Sequence, residues 1–333
     1  MMTRREACGV LLIVVTLGSA APSGKAAIAA ANAPPVTIEN CGVSTTYTEP
    51  PPRVVTMNQA ATELMLALGL QDRIVGTAFL DDAILPTFAG AYEKLPVLAR
   101  GYPSREALLA VDPDLVFAAY SSAFTDQGVG SRTDLGVSTY LSPSSCPGRD
   151  LAERLPVETL YREIRELGRI FGVVTRAEDL IASYERDLQS VQAQIGTVGS
   201  APRVFWYDGG SPPSTGACCG MPNEILRLAG AENVFSDTPG SWTSVRWKEV
   251  VAKDPDVIVL VDAPWSSAVD KAKQLSGEPA FASIKAVVRR RFITIDFSST
   301  TPGIRTVRAV RRLAEALYPE KFSVDRVASA GQP

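Results

Sequence analysis

Between Val157 and Ile195 the apolar residues keep to one face of a helix. Leu160, Ile164, Leu167 and Ile170 recur at steps of three and four. After Gly172, Val173 and Val174 the series resumes at Ala177, Leu180, Ile181, Tyr184, Leu188, Val191 and Ile195. Such spacing lines side chains along one stripe of a 3.6-residue helix, and charged residues fill the opposite face. Thr175 followed by Glu178 has the layout of a capping box. The stretch predicts two helical segments acting as a strut, with any bend at Gly172 to Val174.

On either side the pattern changes to short apolar runs alternating with helical ones. Before the strut, strands are predicted at 53–57, 74–77, 115–119 and 137–141. Helices fall between them, from about Ala61 to Gly69 and from Ser104 to Val111, the second stopped by Pro113. After it, strands are predicted at 204–207, 257–261 and 292–295, with Val234 and Phe235 short and extended. Helices start at Pro222, span 248–252 and close the chain at 304–317. Residues 36–52 suggest a short hairpin. This rhythm implies α/β lobes with mostly parallel central sheets. Two segments occur in both halves: REALLAVDPDLVFAA at 105–119 parallels KEVVAKDPDVIVLVD at 248–262, and TELMLALGLQDRIVG at 62–76 parallels PNEILRLAGAENVFS at 222–236. Paired Asp-Pro-Asp segments in matching context mean two lobes of one topology. The predicted organisation is an N-terminal extension at 34–52, a first lobe at 53–156, a helical connector at 157–196, a second lobe at 197–322 and a tail at 323–333.

Residues 1–33 have the layout of a secretory signal: Arg4 and Arg5, an apolar run from Gly9 to Leu17, then small residues with Ala-x-Ala sites. The run is too short to span a bilayer. Cys8 precedes it, so no lipoprotein-attachment cysteine is expected, and the mature protein is expected to be exported and soluble in the periplasm or cell envelope. In an oxidising compartment the four remaining cysteines permit disulfides. Cys41 with Cys146 is the favoured pair. The adjacent Cys218 and Cys219 are left as thiols or a labile disulfide.

The chain of 333 residues carries a formal charge of −3, which argues against nucleic-acid binding. It contains no histidine, which excludes Ser-His-Asp and Cys-His catalysis and removes the commonest metal ligand. Neither a dinucleotide fingerprint nor a P-loop is present. Binding is therefore expected rather than catalysis, with no cofactor and no metal site. Aromatic, Arg and small polar residues at strand ends and in loops are the candidates for lining a cleft. In the first lobe these are Asn58, Phe79, Tyr120 and Ser142, and in the second Tyr207, Trp242, Trp265, Phe297 and Arg305. Trp242 and Trp265 lie in loops rather than on an apolar stripe, whereas Trp206 lies within a strand and reads as core.

Taken together, RVVTMNQAATELMLALGL at 53–70, REALLAVDPDLVFA at 105–118, NEILRLAGAENVF at 223–235 and DPDVIVL at 254–260 resemble the periplasmic substrate-binding proteins of ABC importers for cobalamin and ferric siderophores. ENCG at 39–42, GTAFLDD at 76–82, YLSPSSCPG at 140–148 and the run from Trp242 to Trp265 resemble a subgroup that takes up a deazaflavin-cofactor precursor. The resemblance implies the class III fold, two α/β lobes joined by a single long interlobe helix, with a small closing motion. It implies a monomer that captures a small molecule, here a flat tricycle bearing a phosphodiester and a carboxylate, and delivers it to a membrane permease with its ATPase. A ferric siderophore or a corrinoid is the alternative ligand, and a sensor-type binding protein without a transporter the alternative role. It also implies one permease-docking carboxylate on each lobe. Glu106 occupies that position in the first lobe. In the second, Lys248 stands there and the carboxylate, Glu249, comes one residue late.

Overall fold

A computed structural model of the protein describes residues 34–149 and 152–322; the predicted signal segment and the C-terminal tail lie outside the described residues. The chain enters through an antiparallel hairpin, β1 (Val36–Asn40) and β2 (Val43–Tyr47). Its two turn residues, Cys41 and Gly42, have φ of 52° and 79°, the left-handed pair that a tight two-residue hairpin turn requires.

The first sheet has five parallel strands in the order β5-β4-β3-β6-β7. In chain order these are β3 (Val54–Met57), α1 (Gln59–Ala67), β4 (Ile74–Ala78), α2 (Ala89–Tyr92), β5 (Val97–Ala99), α3 (Arg105–Leu109), β6 (Leu115–Ala118) and β7 (Ser138–Leu141). β3 and β6 are buried along their whole length, which accounts for their unbroken apolar runs. From β3 the chain winds out to one edge and returns to start again at β6. The order therefore reverses between β3 and β6, and a crevice opens beyond their C-terminal ends. The entry hairpin is fastened to the β7 edge by the Cys41–Cys146 disulfide and by Asn40, whose side-chain amide pairs with both backbone groups of Leu141.

Two helices follow, α4 (Glu158–Ile170) and α5 (Val174–Ile195). They correct the expectation of one strut. Gly168 packs against Ala177, and Arg165 on α4 pairs with Glu178 on α5 at 2.9 Å. As one number rises the other falls, so α4 folds back on α5 as an antiparallel hairpin. Only α5, about 33 Å long at 1.5 Å per residue, crosses between the sheets. Near its start Arg176 donates to Leu68 O, and at its end Lys321 donates to Ile195 O at 2.6 Å. The break at Gly172 to Val174 is the hairpin turn and precedes the crossing helix. The Thr175–Glu178 capping box does not form either. The helix starts with Val173 as its cap residue, Thr175 lies inside the first turn, and Glu178 is taken by Arg165.

The second sheet has four parallel strands in the order β10-β8-β12-β13. It is built from β8 (Arg203–Tyr207), β9 (Ser214–Gly216), α6 (Met221–Leu228), β10 (Glu232–Asn233), β11 (Trp242–Ser244), α7 (Trp247–Lys253), β12 (Val257–Asp262), α8 (Ala268–Gly277), α9 (Lys285–Val288), β13 (Phe292–Asp296) and α10 (Thr306–Leu317). β9 and β11 pair antiparallel, apart from the main sheet. Here the order reverses between β8 and β12.

The Asp-Pro-Asp repeats have one structural job in both halves. Asp112, just past the end of α3, and Asp254, the C-terminal cap of α7, each adopt φ 44°. Two residues on, Asp114 accepts from the backbone N–H of Arg53 at 3.0 Å, and Asp256 accepts from that of Arg203 at 3.1 Å. The side chains of Arg53 and Arg203 reach back to carbonyls at those helix ends, Asp112 O and Lys253 O, each at 2.7 Å. Each motif thus ties a helix end to the first strand of its own sheet.

Candidate ligand-binding cleft

At the first crevice, Asn58 follows β3 with φ 78° and is fully buried. Its amide oxygen accepts from the backbone N–H of Tyr120 at 3.2 Å, and its amide nitrogen donates to Tyr102 Oη at 3.2 Å. One side chain therefore bridges the ends of β3 and β6. Tyr120 Oη donates to Asp81 at 3.1 Å, and burial pushes the Asp81 carboxyl up to about 6 despite that bond. Phe79, at φ 55°, sets its ring edge-on to Tyr102 with centroids 4.7 Å apart. Asn58, Phe79 and Tyr120 thus share one cluster. Tyr102 and Asp81 complete it, and neither was expected, because nothing in their local sequence separates them from ordinary loop residues.

A cavity of about 200 Å³ separates the two halves, lined from the first by Tyr120, Ser144 and Ser145 and from the second by Met221, Trp242 and Thr301. Trp242 is 38% exposed. Ser142 is placed differently from its neighbours: its hydroxyl is buried beneath this wall, bonded to Ser144 Oγ and donating to Glu163 at 3.1 Å. Burial raises the Glu163 carboxyl to about 8, so it stands protonated at neutral pH. Ser144 and Ser145 line the cavity instead.

A second hollow, of about 450 Å³, lies at the β8–β12 crevice and is lined by Tyr207, Trp265, Lys271 and Gln274 among others. Trp265 is 63% exposed, and Phe297 steadies it edge-on at 4.9 Å. Tyr207 is a floor residue, its ring packed between Phe205 and Trp247.

Arg305 lies outside these two hollows and lines another, of about 260 Å³, with Leu85, Asp296 and Arg308. Its guanidinium makes a two-point ion pair with Glu63, at 2.8 and 2.5 Å, and donates to Ala83 O at 2.7 Å. Its side chain is only 7% exposed. Nearby, the backbone N–H of Ser298 donates to Asp82 at 2.7 Å. These bonds join first-half to second-half residues. On another flank Glu224 accepts from Val157 N. Cys218 and Cys219 form a disulfide with each other. Among the described residues no group of three or more Cys, Asp or Glu side chains is placed to hold a metal.

The carboxylates expected to dock differ in setting. Glu106 is exposed in the first turn of α3, its carboxylate held below the usual range by backbone N–H at the helix start and by Ser104. Glu249 sits one position deeper in the first turn of α7. It accepts from the backbone N–H of Arg246 at 2.8 Å and is gripped by the Arg246 guanidinium, which lowers it to about 2. The one-residue offset puts Glu249 where it bonds back to Arg246 at the helix start.

Two parallel α/β sheets, each with one strand-order reversal and joined by a crossing helix, define a class III solute-binding fold. The chain belongs to the periplasmic binding protein family, whose sequence profile matches residues 54–298. It is 27% identical over 295 residues, 86% of this chain and 87% of the relative, to an uncharacterized ABC transporter substrate-binding lipoprotein, YvrC, of Bacillus subtilis. It is 24% identical, over 63% of this chain and 70% of the relative, to the vitamin B12-binding protein of Vibrio parahaemolyticus. Among solved structures, a periplasmic binding protein from Veillonella parvula superposes with TM-score 0.77 at 30% identity, covering 86% of this chain and 98% of that one. An ABC-type Fe3+-hydroxamate transport protein from Saccharomonospora viridis superposes with TM-score 0.71 at 25% identity, covering 85% and 98%.

Proposed function

We propose that the protein is the exported solute-binding component of an ABC importer. It captures a bulky small molecule between its lobes, performs no chemistry on it, and delivers it as a monomer to a permease and its ATPase. The observation that carries this reading is the cavity lined from both halves, with Trp242 on one wall, Tyr120 opposite and Trp265 exposed nearby. Large rigid aromatics cover a broad apolar ligand at low entropy cost. Glu106 and Glu249 are the docking carboxylates in this reading, with Glu106 the stronger contact because Arg246 already neutralises Glu249.

Among ligands, the side chains favour a large, mostly uncharged ring compound of corrinoid type, in keeping with the relatives named for vitamin B12. The deazaflavin precursor would also place a flat ring against Trp265. Its phosphodiester and carboxylate, however, call for an arginine clamp, and Arg305 is committed to Glu63. A ferric siderophore is served by the same aromatics. Export through residues 1–33, without lipid attachment, belongs to this reading. The Bacillus relative is a lipoprotein by name, whereas Cys8 here precedes the apolar run. A sensor role without a transporter would use the same cleft.

Isothermal titration with cyanocobalamin, a ferric hydroxamate and the deazaflavin precursor tests the ligand. Saturable heat with cyanocobalamin is expected. Saturable heat from one of the others alone replaces the corrinoid, and silence from all three overturns this ligand range.

A further inference from the structure

The third hollow, of about 260 Å³, is walled largely by guanidinium groups. Arg305, just before α10, and Arg308 and Arg312 within it follow at steps of three and four, so they share one helix face. Arg305 is buried and fixed, because Nε and Nη2 are held by Glu63 and by Ala83 O. Nη1 makes no hydrogen bond among the described residues, and Asp296 Oδ2 stands 4.0 Å from it. It is not among the polar atoms sealed inside the protein without a partner, and its residue lines the hollow, so its two N–H donors open onto that space. The same holds for Ser299, 8% exposed, whose hydroxyl has no hydrogen bond among the described residues.

Above these fixed donors stand exposed ones. Arg308 and Arg312 are solvent-accessible, and neither makes an ion pair or a hydrogen bond among the described residues. Arg311 reaches Asp187 at 3.9 Å. Two carboxylates share the hollow, Asp296 and Glu315. With Arg305 balanced by Glu63 and Arg311 by Asp187, two guanidiniums face two carboxylates. The hollow therefore offers an anion unspent hydrogen-bond donors more than it offers net charge. Asp296 is 51% exposed and can turn to water, whereas Arg305 cannot turn away.

We propose that this hollow binds the phosphate group of a small molecule, with Arg305 Nη1 and Ser299 Oγ as the fixed donors and Arg308 and Arg312 closing on the remaining oxygens. Donors from four side chains exceed what the two oxygens of a carboxylate accept, and suit a tetrahedral oxyanion. The cost of desolvating Arg305 is met in folding by Glu63, so the donors on Nη1 are presented without further reorganisation. The site lies outside the two hollows assigned to the transported solute and does not depend on that reading. The phosphate has two sources, free inorganic phosphate and a phosphomonoester.

Titration calorimetry of the full protein at fixed ionic strength, with inorganic phosphate and glycerol 3-phosphate as probes, separates them. Saturable heat is expected from one or both, and the tighter probe identifies the source. Arg308→Gln with Arg312→Gln leaves the buried pair untouched and should weaken binding by about tenfold or more, the scale of hydrogen bonds to a charged group. Asp296→Asn removes a competing carboxylate and should tighten binding by about threefold. Arg289→Gln with Arg290→Gln takes the same charge from exposed arginines that do not line the hollow, and should leave the affinity unchanged. Silence from both probes overturns the site. Equal weakening by the two double variants also overturns it, because the anion would then be answering diffuse charge.

Discussion

Glu63 and Arg305 stand 242 positions apart and share a two-point ion pair, Arg305 Nε to Glu63 Oε2 at 2.8 Å and Nη2 to Oε1 at 2.5 Å. Both side chains are nearly solvent-free, at 1% and 7% exposure. Glu63 lies on α1 and Arg305 immediately before α10, so the pair links the two halves. Breaking it from one side leaves a buried charge. Arg305→Met should cost about 3–5 kcal/mol in chemical denaturation, and Glu63→Leu with Arg305→Met should recover most of that loss. The double variant should bind ligand within about threefold of the parent; a loss far beyond that would return Arg305 to the binding site.

Trp242 and Trp265 extend into the hollows without belonging to the core. Trp242→Ala and Trp265→Ala should each weaken ligand binding by about tenfold or more while the thermal midpoint hardly moves. Unchanged affinity in the titration removes the residue from the site.

Glu163 gives the fold a signed pH dependence. Its carboxyl titrates at about 8 in the folded protein against an ordinary value of 4.5. Between those values the folded form keeps a proton that the unfolded chain has released. This contribution to stability is therefore full below 4.5 and fades as pH rises toward 8. Glu163→Gln, which imitates the protonated form, should flatten the fall in thermal midpoint across that range. An unaltered slope would locate the dependence elsewhere.

For docking, Glu106→Lys should lower uptake in proteoliposomes carrying the cognate permease by about tenfold or more, because charge reversal opposes the partner surface. Ligand affinity in solution should not change. Glu249→Gln should have the smaller effect on uptake. Equal losses from both variants would show that Arg246 releases Glu249 on docking.

The two disulfides should differ in worth. Cys41–Cys146 closes a separation of 105 residues, so replacing both with serine should cost about 2–5 kcal/mol. Cys218–Cys219 links neighbours and restricts almost no unfolded chain. Replacing that pair should cost less than about 1 kcal/mol by the same loop-closure argument. Urea denaturation of the two double variants measures both.

What the sequence determined by itself was whatever depends on neighbours in the chain. Two-faced burial made β3, β6, β8 and β12 readable as unbroken apolar runs. The doubled Asp-Pro-Asp exposed the repeated topology, because a proline next to a left-handed aspartate must end a helix wherever it occurs. The stripe from Leu160 to Ile195 was legible as helix, but periodicity is blind to a chain that turns back on itself. The packing of Gly168 on Ala177 and the Arg165–Glu178 pair showed that α4 and α5 form a hairpin. Tertiary structure alone decided the fate of charged and polar side chains. Arg305 has the chemistry of a ligand clamp and Ser142 that of a cleft wall, yet each turned toward a buried acidic side chain, Glu63 and Glu163. Lys271 lies on α8 yet ends buried, bonded to the chain around β12. A charge goes where its desolvation is best compensated, and its partner can lie anywhere along the chain.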